Sequence, residues 1–368
     1  MINITEYPNG TAFSGGAVVF DGTYIWSAQL AYPTLTLQKT DPTTGALLNS
    51  YAIAVLSNAA SPGHLMSFAG SLWFVGSGAY VEQINPATGA LLHEYLVDTA
   101  VGDTQIVATS ITNDGTSLYI GFGAVTSSFA NYTAVCKMTP ATGAIVWSTT
   151  FSTGSTVPIG SLVLNATSNS LWVACKDLHA VYSLSLAGAV INTVPISTST
   201  SLGPMITNDG QVTIISYSDT SLYQINTGTL ALTGPFAVPD GTFPFGLALD
   251  PTGNIWLVTD NFITNVYEVF IFNASMTSID TAATDLVNGA GFLYWDTISN
   301  RMWTPGSNAT ANVILAMNLP APPPPTTQPF SIILRGVKRF PVGVKPAICP
   351  VDEKAHNDAM IEFTKFIG

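Results

Sequence analysis

Residues 41–47 read Asp-Pro-Thr-Thr-Gly-Ala-Leu, and the same phrase returns at 85–91 as Asn-Pro-Ala-Thr-Gly-Ala-Leu and at 139–145 as Thr-Pro-Ala-Thr-Gly-Ala-Ile. Proline presets φ for a turn and glycine supplies a left-handed residue, so each copy between alternating apolar stretches reads as a hairpin. Degraded copies follow at Ala187-Gly188-Ala189-Val190 and Asn226-Thr227-Gly228-Thr229-Leu230.

Working outward, a short strand with an aromatic centre precedes these turns. It recurs at Tyr24–Trp26, Leu72–Phe74, Leu118–Ile120, Leu171–Val173, Val212–Ile214, Ile255–Leu257 and Met302–Thr304. The spacing from Trp26 through Trp73, Tyr119, Trp172, Thr213 and Trp256 to Trp303 is 41 to 53 residues. Turn signals such as Asp21-Gly22, Asp114-Gly115, Asp209-Gly210 and Thr252-Gly253 stand before the strand. Each unit therefore holds four strands: an inner apolar one, the aromatic one, and two more around the Pro/Gly turn. Seven such units at this period make a seven-bladed β-propeller of the all-β class, over residues 1–319. The seventh unit stops at Pro320 one strand short, while Ile2–Tyr7 precedes the first inner strand, Ala17–Phe20. The N-terminal strand is expected to complete blade seven and close the ring.

Composition agrees. Of 368 residues only 9% are charged, 47% are hydrophobic, and the formal net charge is -12. Disorder and general nucleic-acid binding are disfavoured, and no apolar run is long enough to span a membrane. Met1–Gly10 carries no secretory signature. Cys136, Cys175 and Cys349 are too scattered for a disulfide framework or zinc site, and read as buried thiols.

The Asp/Asn-Pro-x-Thr-Gly-Ala-Leu turns and the stretch Phe245–Trp256 resemble NHL/YVTN-type propellers, including virginiamycin B lyase-like proteins. That resemblance implies a His/Glu/His cluster with Mg2+ on the late blades. The sequence departs from it: its histidines are His64, His93, His179 and His356, and Glu268 is the only glutamate of the late blades. No other catalytic motif is present, so no catalytic residue, metal or cofactor is assigned, and lyase activity takes second place to binding. Asp250–Asn254 reads as an Asx-type turn ahead of a calcium loop. His64 and His179 read as surface or locally bonded residues.

In propellers, the loops between second and third strands share a face with the blade-to-blade connections. That face gathers Tyr32, Tyr80, Phe129, Tyr132, His179, Asp260 and Phe262 from the first set, and His64, Asp98, Asp103, Asp240, Phe243 and Phe245 from the second. Of these, Tyr32, Phe129, Tyr132, His179, Asp240, Phe243, Asp260 and Phe262 are the candidate ligand-binding residues. Rings among carboxylates suit a glycan or a protein.

Beyond Asn318 the composition breaks. Residues 320–329 form a Pro-rich linker, and 330–368 a tail with six of the ten basic residues. The ring has four basic against 18 acidic residues, a net of -14, and the tail is +2. The tail holds an apolar run, 330–334, then Arg335, Lys338 and Arg339, then a short helix expected over Val351–Ile367. Phe330, Ile332, Leu334, Arg335, Lys338, Arg339, Met360, Phe363, Phe366 and Ile367 are the expected anchors to a protein assembly. A charge-poor ring on such a stalk, with no signal, reads as a virion component, a phage capsid decoration or tail-associated subunit at an extracellular surface.

Overall fold

Hairpin follows hairpin around the ring in the computed structural model. It describes residues 2–8, 17–31, 34–55, 63–76, 78–97, 103–126, 131–152, 159–175, 178–196, 201–208, 210–238, 242–261, 264, 266–284, 286, 293–308 and 312–319. Strand β1 (Asn3–Pro8) leads into blade one: β2 (Ala17–Phe20), β3 (Ile25–Ala31), β4 (Thr34–Thr40) and β5 (Leu47–Ala54). Blade two is β6 (His64–Phe68), β7 (Ser71–Val75), β8 (Tyr80–Ile84) and β9 (Leu91–Leu96). Blade three is β10 (Asp103–Asn113), β11 (Leu118–Thr126), β12 (Asn131–Met138) and β13 (Ile145–Ser152). Blade four is β14 (Ile159–Asn165), β15 (Ser170–Cys175), β16 (Ala180–Ser185) and β17 (Val190–Pro195). Blade five is β18 (Leu202–Asn208), β19 (Gln211–Ser216), β20 (Ser221–Asn226) and β21 (Leu232–Ala237). Blade six is β22 (Thr242–Leu249), β23 (Ile255–Asn261), β24 (Val266–Phe272) and β25 (Ser278–Ala283). Blade seven takes β26 (Tyr294–Asp296), β27 (Arg301–Ser307) and β28 (Asn312–Asn318).

All seven sheets are antiparallel and four-stranded, and the fourth strand of blade seven is β1. Its register runs from Asn3 beside Asn318 to Pro8 beside Val313, as the sequence phase requires. Arg301 donates to the Tyr7 hydroxyl at 2.9 Å and Asn308 to Glu6 at 3.1 Å, so side chains reinforce the closing strand. Met1–Pro320 forms one compact unit. The linker and tail, with the helix expected over Val351–Ile367, lie outside the described residues.

The apolar core is divided into seven seams, one between each pair of neighbouring blades. Trp26, Trp73, Tyr119, Trp172, Trp256 and Trp303, the aromatic centres, are fully buried in six of them. Burying ring surface of this size contributes roughly 2–3 kcal/mol per residue. An indole in such a seam must still satisfy its N–H. Asp21, Asp250 and Asp296 accept from Trp26, Trp256 and Trp303 at 2.7, 3.0 and 3.3 Å, and Asp114 accepts from the Tyr119 hydroxyl at 2.7 Å. The second oxygen of the same carboxylate holds the turn: Asp21 takes the Thr23 and Tyr24 N–H groups, and Asp114 those of Thr116 and Ser117. Asp250 takes Thr252 and Asn254 in the same way, so this loop is the Asx turn that the sequence suggested.

A second repeated contact joins four neighbouring pairs of blades. Tyr51 of β5 stacks on Trp26, and a Cβ added to Gly89 in the blade-two turn would fall inside the Tyr51 ring. Tyr95 stacks on Trp73 beneath Gly143, Tyr7 on Trp303 beneath Gly45, and Trp147 packs on Tyr119 beneath Gly188. Blade five differs. Its turn places Leu230 at φ +60°, in the position that glycine holds in blades one to four and Met276 holds in blade six, and Gly228, the glycine of the degraded copy, is two residues early.

Near the axis, side chains lock neighbouring inner strands. The Ser110 hydroxyl accepts the Leu162 N–H and Ser161 accepts the Met205 N–H, both at 3.0 Å. The register shifts at Ala108/Ser110 and Ile159/Ser161 place these hydroxyls toward the next blade. Ser110→Ala and Ser161→Ala should each lower stability by about 1–2 kcal/mol, because each leaves a buried N–H unpaired. Urea unfolding of the two variants checks this; unchanged midpoints would show that the inner strands need no lock.

Candidate functional site

Blade-to-blade connections and second-to-third-strand loops open on one face, the loop face; the tight hairpin turns lie on the other. Of the eight candidate ligand-binding residues, Tyr132, His179, Phe243 and Asp260 are described. Tyr32, Phe129, Asp240 and Phe262 lie outside the described residues, as do all ten tail positions from Phe330 to Ile367. Tyr132 begins β12 in blade three, edge-on to Phe122 at 6.3 Å. His179 sits in the tight turn before β16 at φ +51°, where its carbonyl accepts the Ile196 N–H at 2.9 Å.

Phe243 and Asp260 do come together. They are register partners on β22 and β23, at the loop-face end of blade six. Phe243 stacks on Tyr217 with centroids 5.1 Å apart and planes 11° from parallel. Phe245 tilts against Phe243 at 5.2 Å, and Tyr267 against Phe245 at 5.9 Å. A row of four half-buried or buried rings thus crosses the top of blade six. The irregularity at Pro244/Gly246 lets Phe243 meet blade five's Tyr217 while Phe245 packs into the seam with blade seven. Burial lifts the Tyr217 phenol to about 12, so it stays a neutral donor. Asp260 is the polar member beside Tyr267, and burial raises its carboxyl above the usual range. Asn261 donates to Glu268 at 2.9 Å. Tyr217 and Phe243 each spend one face on the other, which gives the row stiffness.

Sequence reasoning named Phe243, Phe245, Asp260 and Glu268, and missed Tyr217 and Tyr267. Tyr217 carries a signal in hindsight: it stands one residue beyond β19, where loop-face residues begin.

His64 is half-buried: it opens inner strand β6, and its Nδ1 accepts the Ile111 N–H of the next blade at 3.3 Å. Burial pushes its pKa down to about 4, in keeping with a neutral acceptor. Burial likewise lifts the Cys136 and Cys175 thiols to about 12, and both are free and buried as expected.

Among the described residues, no side-chain cluster matches the magnesium centre that the lyase resemblance implies. Glu268 is held by Asn261, no histidine occurs between 180 and 355, and no three His, Cys, Asp or Glu side chains gather to hold a metal among the described residues. No protein-family model and no curated protein matches the chain. Among solved structures it is similar to a streptogramin B lyase, with TM-score 0.63 and 14% identity over 87% of this chain and 98% of that one. The virginiamycin B lyase of Staphylococcus aureus gives 0.63 and 13% over 87% and 100%. The WD40 β-propeller domain of Doa1 gives 0.61 and 13% over 86% and 96%. Two lyases and a WD40 domain at such identities show the propeller fold alone.

Proposed function

We propose that this chain is a non-enzymatic binding ring displayed on a larger assembly, with residues 330–368 as its attachment and a virion surface as its setting. One observation carries the reading: among the described residues, five aspartates of the ring are spent on architecture. Asp21, Asp114, Asp250 and Asp296 are committed to turns and buried aromatic donors, and Asp219 accepts from Tyr223 at 2.6 Å. Chemistry at a propeller mouth needs convergent acids and bases, and Asp260 with Glu268 is the nearest approach to that among the described residues. What remains is a stiff aromatic row suited to holding a ligand. The basic residues, meanwhile, are concentrated in a tail that follows a Pro-rich spacer.

Immunogold microscopy of particles from the source organism should place the ring on their surface. The full chain with Phe363→Asp and Phe366→Asp should leave the particle fraction, since two charges on the expected apolar helix face oppose burial. Label confined to particle-free material, or a doubly substituted chain that stays on particles, would overturn the reading.

A further inference from the structure

Asp260 departs from the pattern of the other aspartates. Asp21, Asp114, Asp250 and Asp296 each accept turn amides and an aromatic donor, and Asp219 accepts from Tyr223. Burial raises the carboxyls of Asp114 and Asp250, and their hydrogen bonds pull both back below the usual range. At Asp260 burial also raises the carboxyl, and neither a hydrogen bond nor a neighbouring charge offsets it. A half-buried carboxylate without a compensating donor costs the fold stability, and such departures mark functional positions.

Its setting is rigid. Asp260 follows Trp256 and Val258 at strand alternation on β23, so it shares their face, toward the seam between blades six and seven. Its register partner on β24 is Tyr267, a member of that seam, and Phe245 tilts against Tyr267 at 5.9 Å. Directly paired residues have Cβ atoms about 4.5–5.5 Å apart, so the carboxylate stands beside the phenol ring. The Tyr267 carbonyl accepts the Thr284 N–H at 2.8 Å, and its own N–H donates to the Leu286 carbonyl at 3.1 Å. Carboxylate and rings thus stand on well-held strands at the loop-face mouth of the seam.

Charge says what this mouth takes. Four basic against 18 acidic residues give the ring a net of -14, a field that draws cations. The ring's own described cations are engaged elsewhere. Lys39 lies 3.7 Å from the Tyr24 ring centroid, Lys137 pairs with Asp114 at 3.5 Å, and Arg301 donates to Tyr7. Lys176 lies outside the described residues.

We propose that Asp260 is the counter-ion of a ligand site, taking a primary alkylammonium group whose methylenes lie against Phe245 and Tyr267. An ammonium brings three donors to a carboxylate that has none, and apolar walls strengthen the attraction by excluding water. Its compact charge on an apolar stem suits one carboxylate among rings, where a guanidinium fork would call for bidentate partners. A cation beside aromatic rings is favoured further. Such a group is carried by a free amine or by a lysine of a partner protein. The inference rests on the binding reading and names the chemistry that the aromatic row takes.

Saturation-transfer NMR on the full chain tests it, with n-butylammonium chloride for a free amine and acetyl-lysine methylamide for a protein's lysine. At least one should bind saturably, and the tighter of the two identifies the source. The uncharged analogue n-butanol should bind about tenfold more weakly, and Asp260→Asn should weaken the amines about tenfold or more. Asp260→Asn should unfold at the same or a higher urea concentration at pH 7, because it removes an uncompensated half-buried charge. No binding of either amine, n-butanol bound as well as the amines, a variant that binds as before, or one that unfolds earlier would overturn the inference. A chain that labels particles yet binds no amine would sink this inference alone. Amine binding by a chain absent from particles would leave it standing and remove only the display setting.

Discussion

Gly89→Ala should destabilise the ring by about 3 kcal/mol, far more than the same substitution at Gly115. Both glycines are left-handed, at φ +68° and +85°, where an L side chain costs about 1–2 kcal/mol. Only their surroundings differ. A Cβ at Gly115 meets nothing within 4 Å, whereas at Gly89 it enters the Tyr51 ring, itself stacked on Trp26 at 6.0 Å. Alanine at 89 must therefore expel Tyr51, forfeiting the stack and opening the seam between blades one and two. Tyr51→Ala should itself destabilise, and adding Gly89→Ala to it should cost only the backbone share, about 1–2 kcal/mol. Urea unfolding of the four proteins reads this coupling. Equal losses at Gly89 and Gly115 would reduce the contact to ordinary turn chemistry.

That contact shows where the sequence was legible. Blade number, strand order and closure follow from the recurring turn and the central strand, because both are local signals, the strand repeated seven times and the turn five times with its degraded copies. The partner of Gly89 is not local in sequence, yet it leaves a trace: Tyr51 and Tyr95 each stand six residues beyond a turn glycine, Gly45 and Gly89. Each tyrosine packs beneath the glycine of the following blade, so its role appears only once the blades are set side by side. Blade five shows the limit of motif reading. Leu230 takes the left-handed position there, because the hydrogen bond from its N–H to the Asn226 carbonyl fixes the loop whichever side chain follows.

The candidate site was legible in part for the same reason. Phe243 and Asp260 could be placed on the loop face by strand phase alone. That Phe243 meets Tyr217, and that His64 turns inward to bond Ile111, depends on how neighbouring inner strands lie against each other. No spacing within one blade encodes that.

Asp250→Ala should cost about 3–5 kcal/mol, and Asp250→Asn less, with a changed response to acid. The Asp250 carboxylate accepts from Thr252, from Asn254 and from the Trp256 indole, so alanine strands a buried indole N–H together with the turn amides. Burial alone would raise the pKa of this carboxyl, but the bonds from Thr252, Trp256 and Asn254 outweigh it and hold the group below the usual range. Asp114 behaves alike: burial raises it, and Tyr119, Thr116 and Ser117 more than reverse the effect. A carboxylate with a lowered folded-state pKa contributes stability above its unfolded value, about 3.9, and loses it as pH falls through the folded one. These carboxylates should therefore hold their contribution from neutrality down to about pH 4 and lose it progressively below, on top of a loss that starts below about pH 6.5, where the unfolded chain protonates His64 and the folded one keeps it neutral. Asparagine at 250 keeps one acceptor and cannot titrate, so its stability curve should be flatter over that acid limb while lying lower at pH 7. Unfolding midpoints between pH 2 and pH 7 measure both curves. Parallel acid limbs in the two proteins would mean that Asp250 is not among the groups whose protonation opens the ring.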